Sequence, residues 1–309
     1  MDVRTILIAG ALLPVLSFAG CGSGDPGAVG GSTGAADEGP PWTVPVLDPA
    51  QLYEADTLVL DAKDGPKLCV GGVAHSLPPQ CFGVPLAGWD WDAVEGEESA
   101  SGTTWGEAHV VGTYDGDTFT VTAAGPYRPG EADFGGARDF STPCPEPAGG
   151  WLAADPSRVS EGDFDAGAAA ARARPDYVAL WVDYVGDDTP DELAERLSEG
   201  EAVLQIMNVV VADDVTGAEV AVREAWGGPL CVSRREGHTQ KELESIRAEA
   251  ERLVREDLGL EFTWSSDGDV GLAAEIGVVV DPGGAGQAAL DARFGAGMVR
   301  LFPALRPVQ

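Results

Sequence analysis

Positive charge is what this sequence has least of. Against 51 acidic residues stand 19 basic ones, only three of them lysine (Lys63, Lys67, Lys241), so 309 residues carry a formal net charge of -32. A chain this acidic has no basic footprint with which to release counterions from phosphates, which excludes nucleic acid as a partner. Anionic lipid headgroups repel it for the same reason. The charge reads instead as a solvated, self-repelling surface that keeps the chain soluble. Long apolar runs are also missing. The longest, residues 6–18, falls short of the ~20 residues that span a bilayer; it follows a single arginine, Arg4, and reads as the apolar part of an export signal.

Site motifs are equally scarce. The three histidines, His75, His109 and His238, are scattered, with no i,i+4 pair and no HExxH. No GxSxG elbow occurs; "EESASG" (97–102) has the serines but lacks the first glycine. No Walker or dinucleotide glycine pattern lies between a strand and a helix. "GGAG" (283–286) opens a helix, but Asp281 just before it argues for a structural turn rather than a phosphate cradle. "GDDTPDE" (186–192), "ADDVTG" (212–217) and "SSDGDVG" (265–271) resemble pieces of calcium loops, without the alternating ligands and final glutamate of an EF-hand. Asp187, Asp188, Asp191, Asp213 and Asp214 therefore read as helix caps and solvated turns. The sequence assigns no catalytic residue, no cofactor and no metal ligand.

What is present is architecture. Residues 22–45 are Gly, Ser, Ala, Pro and acidic, too poor in apolar surface to offset ordering entropy, and read as a flexible tether. Residues 46–148 read as a small antiparallel β barrel or sandwich ending in a Pro/Gly-rich connection. Its strands are "TLVLDA" (57–62), "TTWGEAHVVGTY" (103–114) and "DTFTVTAA" (117–124), with Asp115-Gly116 as a hairpin turn. Trp89, Trp91 and Trp105 read as core or rim packing.

From residue 149 helices enter, giving an α+β protein. Expected helices are 161–174 (stopped by Pro175), 214–226, 239–257 and 283–294. Thr239 and Glu242 make a capping box for the third. Expected strands are 176–185, 201–212, 229–234, 260–266, 271–281 and 297–305. Residues 210–230 align without a gap on 278–298: Val211 with Val279, Asp213 with Asp281, Trp226 with Phe294, Gly227 with Gly295. With "GGWLAAD" (149–155) counted as a first strand, the region reads as two ferredoxin-like βαββαβ repeats, about 149–232 and 227–309.

Of the five cysteines, Cys21 closes the export signal, and an even four remain: Cys69, Cys81, Cys144 and Cys231. An even count in an exported chain points to disulfides. Cys69 and Cys81 bracket a short Gly/Pro loop that favours local pairing, and Cys144 with Cys231 follows by elimination. All three connectivities stay open from sequence.

"GALLPVLSFAGCGSG" resembles a bacterial lipoprotein signal with its lipobox, matching at Ala19-Gly20-Cys21 and departing at Phe18, where leucine is usual. That resemblance implies removal of residues 1–20 and a diacylated Cys21 as the mature N-terminus. "CVGGVAHSLPPQCFG" (69–83), "GWDW" (88–91) and "GTYDGDTFTVT" (112–122) resemble lipoproteins of actinobacteria, in keeping with the Ala/Gly/Arg-rich composition of a GC-rich genome. The functional expectation is an extracytoplasmic, lipid-anchored binding or interaction module with an envelope protein or glycan as partner. The alternative is a hydrolase of envelope polymers. A cleft joining a carboxylate to His75 or His109 would favour the hydrolase, and exposed aromatics such as Trp42 or Trp89 would favour binding.

Overall fold

A computed structural model describes residues 42–94, 96–128, 140–186, 192, 204–266 and 273–308, all within one compact unit, 40–309. The expected export signal, Cys21 and almost the whole expected tether lie outside the described residues, as do Asp187, Asp188 and Asp191. The protein is α+β, with a mixed nine-stranded sheet, a three-stranded sheet and, among the described residues, four α-helices.

Six strands come first: β1 (Leu52–Ala62), β2 (Gly65–Ala74), β3 (Gln80–Ala87), β4 (Glu98–Ala100), β5 (Thr103–Tyr114) and β6 (Phe119–Pro126). β1 pairs with β2 and β2 with β3, both antiparallel; β3 runs parallel to β6; β6 and then β1 pair antiparallel with β5. Five strands thus close into a ring, with one parallel pair where an all-antiparallel arrangement was expected. The β5–β6 turn forms at Asp115-Gly116, where Gly116 takes the positive φ and the Asp115 carboxylate accepts from the N–H groups of Asp117 and Thr118. The ring's interior holds Tyr53, Val59, Leu68, Val110 and Phe119, each at most 2% exposed. Each such side chain contributes roughly 1.5–3 kcal/mol by leaving water. Trp105 is buried, while Trp89 and Trp91 meet edge to face at 5.2 Å on its rim, as packing residues.

The second half builds one arrangement twice. Helix α1 (Glu161–Arg172) is followed by β7 (Tyr177–Tyr184), β8 (Gln205–Val211), α2 (Val215–Arg223) and β9 (Leu230–Arg234). Helix α3 (Gln240–Arg252) is followed by β10 (Phe262–Ser266), β11 (Ala274–Val280), α4 (Ala285–Phe294) and β12 (Val299–Pro307). In each, the first two strands are antiparallel and the third lies parallel beside the second. The caps follow the sequence. Thr239 and Glu242 form the expected box, Ser160 and Asp163 form another, and Asp214 accepts from Gly217 N–H. The Asp281 carboxylate accepts from the N–H groups of Gly286 and Gln287, so a side chain of the protein itself occupies the α4 N-terminus.

The four-stranded plait does not form. A ferredoxin-like unit inserts its first strand between its third and fourth, but here β8 bonds directly to β9 and β11 directly to β12, leaving no slot. Residues 149–155 are irregular. They dock through Asp155 N–H to the Gly227 carbonyl and Gly227 N–H to the Arg158 carbonyl, where a Cβ on Gly227 would collide with the backbone. "PLCVSR" serves only the first arrangement, as β9. β12 pairs antiparallel with β1, through Tyr53–Pro307 and Glu54–Arg306, so the C-terminal strands extend the sheet begun by the ring.

Two disulfides are present, Cys69–Cys81 and Cys144–Cys231. The second pins residues 140–144 to the small sheet, where Thr142 also donates to Asp183 and Trp181 Nε1 donates to the Phe140 carbonyl. Sequence separations of 87 and 12 residues set what each removes from the unfolded ensemble. Chain entropy predicts that Cys144→Ala/Cys231→Ala costs about 2 kcal/mol more than Cys69→Ala/Cys81→Ala. Urea denaturation of both variants measures the difference, and equal losses would count against the entropic account.

Candidate functional site

β1 shares one edge between two partners. Tyr53 and Glu54 pair with β12, residues 59–62 pair with β2, and the stretch 55–58 has a ladder partner only in β5. β2 and β12 therefore diverge from β1 like the arms of a Y, and a cavity of about 550 Å³ opens in the fork. Ala55, Asp56 and Thr57 form its base.

The arms have different characters. On β2, the register with β3 slips between Cys69 and Val73, a bulge that places three residues opposite Phe82 alone. Gly71 and Gly72 of this bulge line the cavity with bare backbone, and the Cys69–Cys81 disulfide clamps the two strands beside it. On the other arm, β12 supplies Phe302, Pro303 and Ala304, and β10 supplies Trp264. The Trp264 and Phe302 rings lie 5.6 Å apart, tilted by 31°. The indole rests on Gly277 of β11, where any Cβ would collide with it. The walls are mostly apolar, within the size range of small-molecule sites.

Polar groups gather behind the base. The Asp56 side chain is fully buried and accepts from the backbone N–H and guanidinium of Arg128 and, at 3.1 Å, from Arg306 Nη2. His109 Nδ1 lies 3.1 Å from Asp56 Oδ1 and 2.6 Å from Arg128 Nη2, and its Nε2 is 3.7 Å from Glu54. Arg128 also donates to Glu54 at 3.0 Å. Burial opposes ionisation of Asp56, but the side-chain and backbone donors of Arg128, together with His109, prevail and hold its carboxyl below the ordinary range. One carboxylate thereby ties β1, β5, β12 and the exit of β6 together.

At and beyond the bulge, the β2–β3 hairpin projects apolar side chains into solvent. Val73 is 41% exposed, Leu77 76% and Phe82 50%. Exposed apolar side chains grouped on one small element mark interaction surfaces.

His109 meets carboxylates but is not among the residues lining the cavity, whereas the hydrolase expectation asks for a cleft that joins the two; His75 is exposed in the hairpin loop. Both ring nitrogens of His109 face charged neighbours, and among the described residues no serine, threonine or cysteine hydrogen-bonds to it. Trp42 and Trp89 are half-buried against the cores rather than displayed on one face. Trp264 and Phe302 were not singled out in the sequence. Each is one aromatic in an ordinary strand pattern, and their approach depends on the parallel pairing of β11 with β12. Among the described residues, no group of three His, Cys, Asp or Glu side chains is placed to hold a metal ion.

Comparison with known protein families, with curated proteins and with solved structures gives no match to this chain.

Asp56→Ala leaves Arg128 and Arg306 facing a buried gap and is expected to cost about 3 kcal/mol at neutral pH. The folded-state pKa of Asp56 is depressed, so its contribution is present above the unfolded value and disappears as pH falls through the folded one. Parent stability should therefore decline below about pH 4, and Asp56→Asn should flatten that decline. Urea midpoints between pH 3 and 7 read the effect; identical pH profiles would show that Asp56 is not responsible.

Proposed function

We propose that the protein is a membrane-tethered envelope lipoprotein whose folded part is a non-enzymatic binding module. The exposed apolar hairpin carries this reading. Val73, Leu77 and Phe82 stand on a two-stranded projection clamped by Cys69–Cys81, which is costly to hold in water unless it meets a partner. The disulfides fit an oxidising compartment outside the cytoplasm. Tethering is assigned to Cys21 on the resemblance of "GALLPVLSFAGCGSG" to a lipobox signal; among the described residues, no helix is long and apolar enough to cross a membrane. The ring from which the hairpin extends has the connectivity of a five-stranded Greek-key barrel, an architecture used elsewhere as a binding scaffold. The twice-built helix–strand–strand–helix–strand arrangement is consistent with internal duplication, and fold alone assigns no chemistry.

The partner is an envelope protein that covers the hairpin; a glycan is the competing outcome. The hydrolase reading finds a histidine beside carboxylates, but one committed to an ion cluster that holds strands together.

Two experiments test the reading. Cys21→Ala should move the protein from the membrane fraction to the soluble one, and unchanged partition would remove the lipid tether. The soluble chain from Gly22 onward should enrich a partner from envelope extract, and Leu77→Ser/Phe82→Ser should reduce that recovery at least tenfold. Equal recovery by both forms would exclude the hairpin as the contact.

A further inference from the structure

The cavity between β2 and β12 shares β2 with the hairpin but is lined by other residues, and its chemistry can be read separately. We propose that it is a binding site for an uncharged, flat, ring-bearing small molecule.

Shape is the first argument. One wall is the bare backbone of Gly71 and Gly72, and another is the tilted pair Trp264 and Phe302. Side-chain-free backbone and aromatic faces both suit a planar ligand, and rings packed against rings gain about 0.5–1.5 kcal/mol beyond area burial. At about 550 Å³ the space suits a molecule of two or three fused rings.

Charge is the second. The charged groups at the base, Asp56 and Arg306, are paired with each other, and Asp56 is also paired with Arg128. Thr57 Oγ1 donates to the Cys69 carbonyl. A charged ligand would have to break one of these pairs or enter without a counterion, and an anion would also meet the field of a chain of net charge -32. An uncharged ligand meets neither cost.

Rigidity is the third. The walls are fixed before any ligand arrives. The bulge is clamped by Cys69–Cys81, the indole is seated on Gly277, and the base is locked by the Asp56 cluster. A site already ordered spends little binding energy on organisation.

The test uses the soluble chain from Gly22, which keeps the whole compact unit 40–309, and N-phenyl-1-naphthylamine, an uncharged aromatic probe whose fluorescence rises in apolar surroundings. Saturable one-to-one binding is expected. Trp264→Leu, which removes the larger ring of the lining pair, should weaken it at least tenfold, with a cooperative melting transition confirming that the fold is kept. Phe302→Leu, which keeps the strand apolar but removes a ring, should weaken it several-fold. Uncharged naphthalene-methanol should displace the probe at least tenfold better than naphthoate. Absence of saturable binding, or equal binding by the Trp264→Leu protein, would overturn the site. Displacement by naphthoate as good as by the alcohol, or displacement by a soluble oligosaccharide, would overturn the ligand class. Partner recovery through the hairpin is read independently, so each proposal can fail without the other.

Discussion

Strand β1 must satisfy three neighbours with two edges. One edge is taken along ten residues, Leu52 to Asp61, by β5; the other is divided, its start given to β12 and its end to β2. Most other features of the larger sheet follow from that division. It lets the first five long strands close on themselves while the C-terminal strands join the same sheet. It also leaves residues 55–58 without a second ladder partner, and the cavity is the space where the two arms part. Asp56 stands at the middle of this unpaired stretch. Its buried carboxylate is tolerable only because two guanidinium groups and a backbone N–H meet it, and those donors come from the segments that must be held: Arg128 after β6 and Arg306 on β12. Removing the charge and releasing the strands are therefore one event.

Tethering of the two halves is reinforced elsewhere by different means. The Tyr114 hydroxyl, buried at the end of β5, has two acceptors for its one proton, a Glu261 carboxylate oxygen ahead of β10 at 2.9 Å and the Gly116 carbonyl at 2.7 Å. Burial, and then the Glu261 carboxylate, push its pKa well above the usual phenol value, so it remains a donor at any physiological pH. Val279, Val280 and Leu305 from the second half sit in the same apolar cluster as Phe119 and Tyr53 from the ring. Apolar burial, a buried hydrogen bond and an ion cluster thus join the halves at separate places.

Local structure in the second half was legible because its signals are local. The apolar stripe and capping box of α3, the stop at Pro175 and the Asp214 cap each depend on residues within a turn of one another. The corresponding elements lie within a few residues of their expected bounds. β2 and β3 were not legible. Gly71, Gly72, Pro78 and Pro79 punctuate the stretch as a loop would, yet a bulge absorbs the glycines and the prolines occupy the hairpin connection. The plait failed for a reason that no local signal carries. Strand order in a sheet is decided by which edges are free when strands meet, and residues 149–155 found a backbone partner at Gly227 rather than an edge.

The division between sequence and tertiary structure is therefore physical. Composition, the spacing of apolar residues, caps and the count of cysteines determined an acidic α+β chain with cysteines enough for two disulfides and no local catalytic motif, because each is a property of neighbours along the chain. Which strands share an edge, and hence that Asp56, Arg128 and Arg306 form one cluster, that Trp264 approaches Phe302, and that a cavity opens above residues 55–58, was decided only in three dimensions. Partners up to 250 residues apart meet there, and nothing in either segment alone encodes the other.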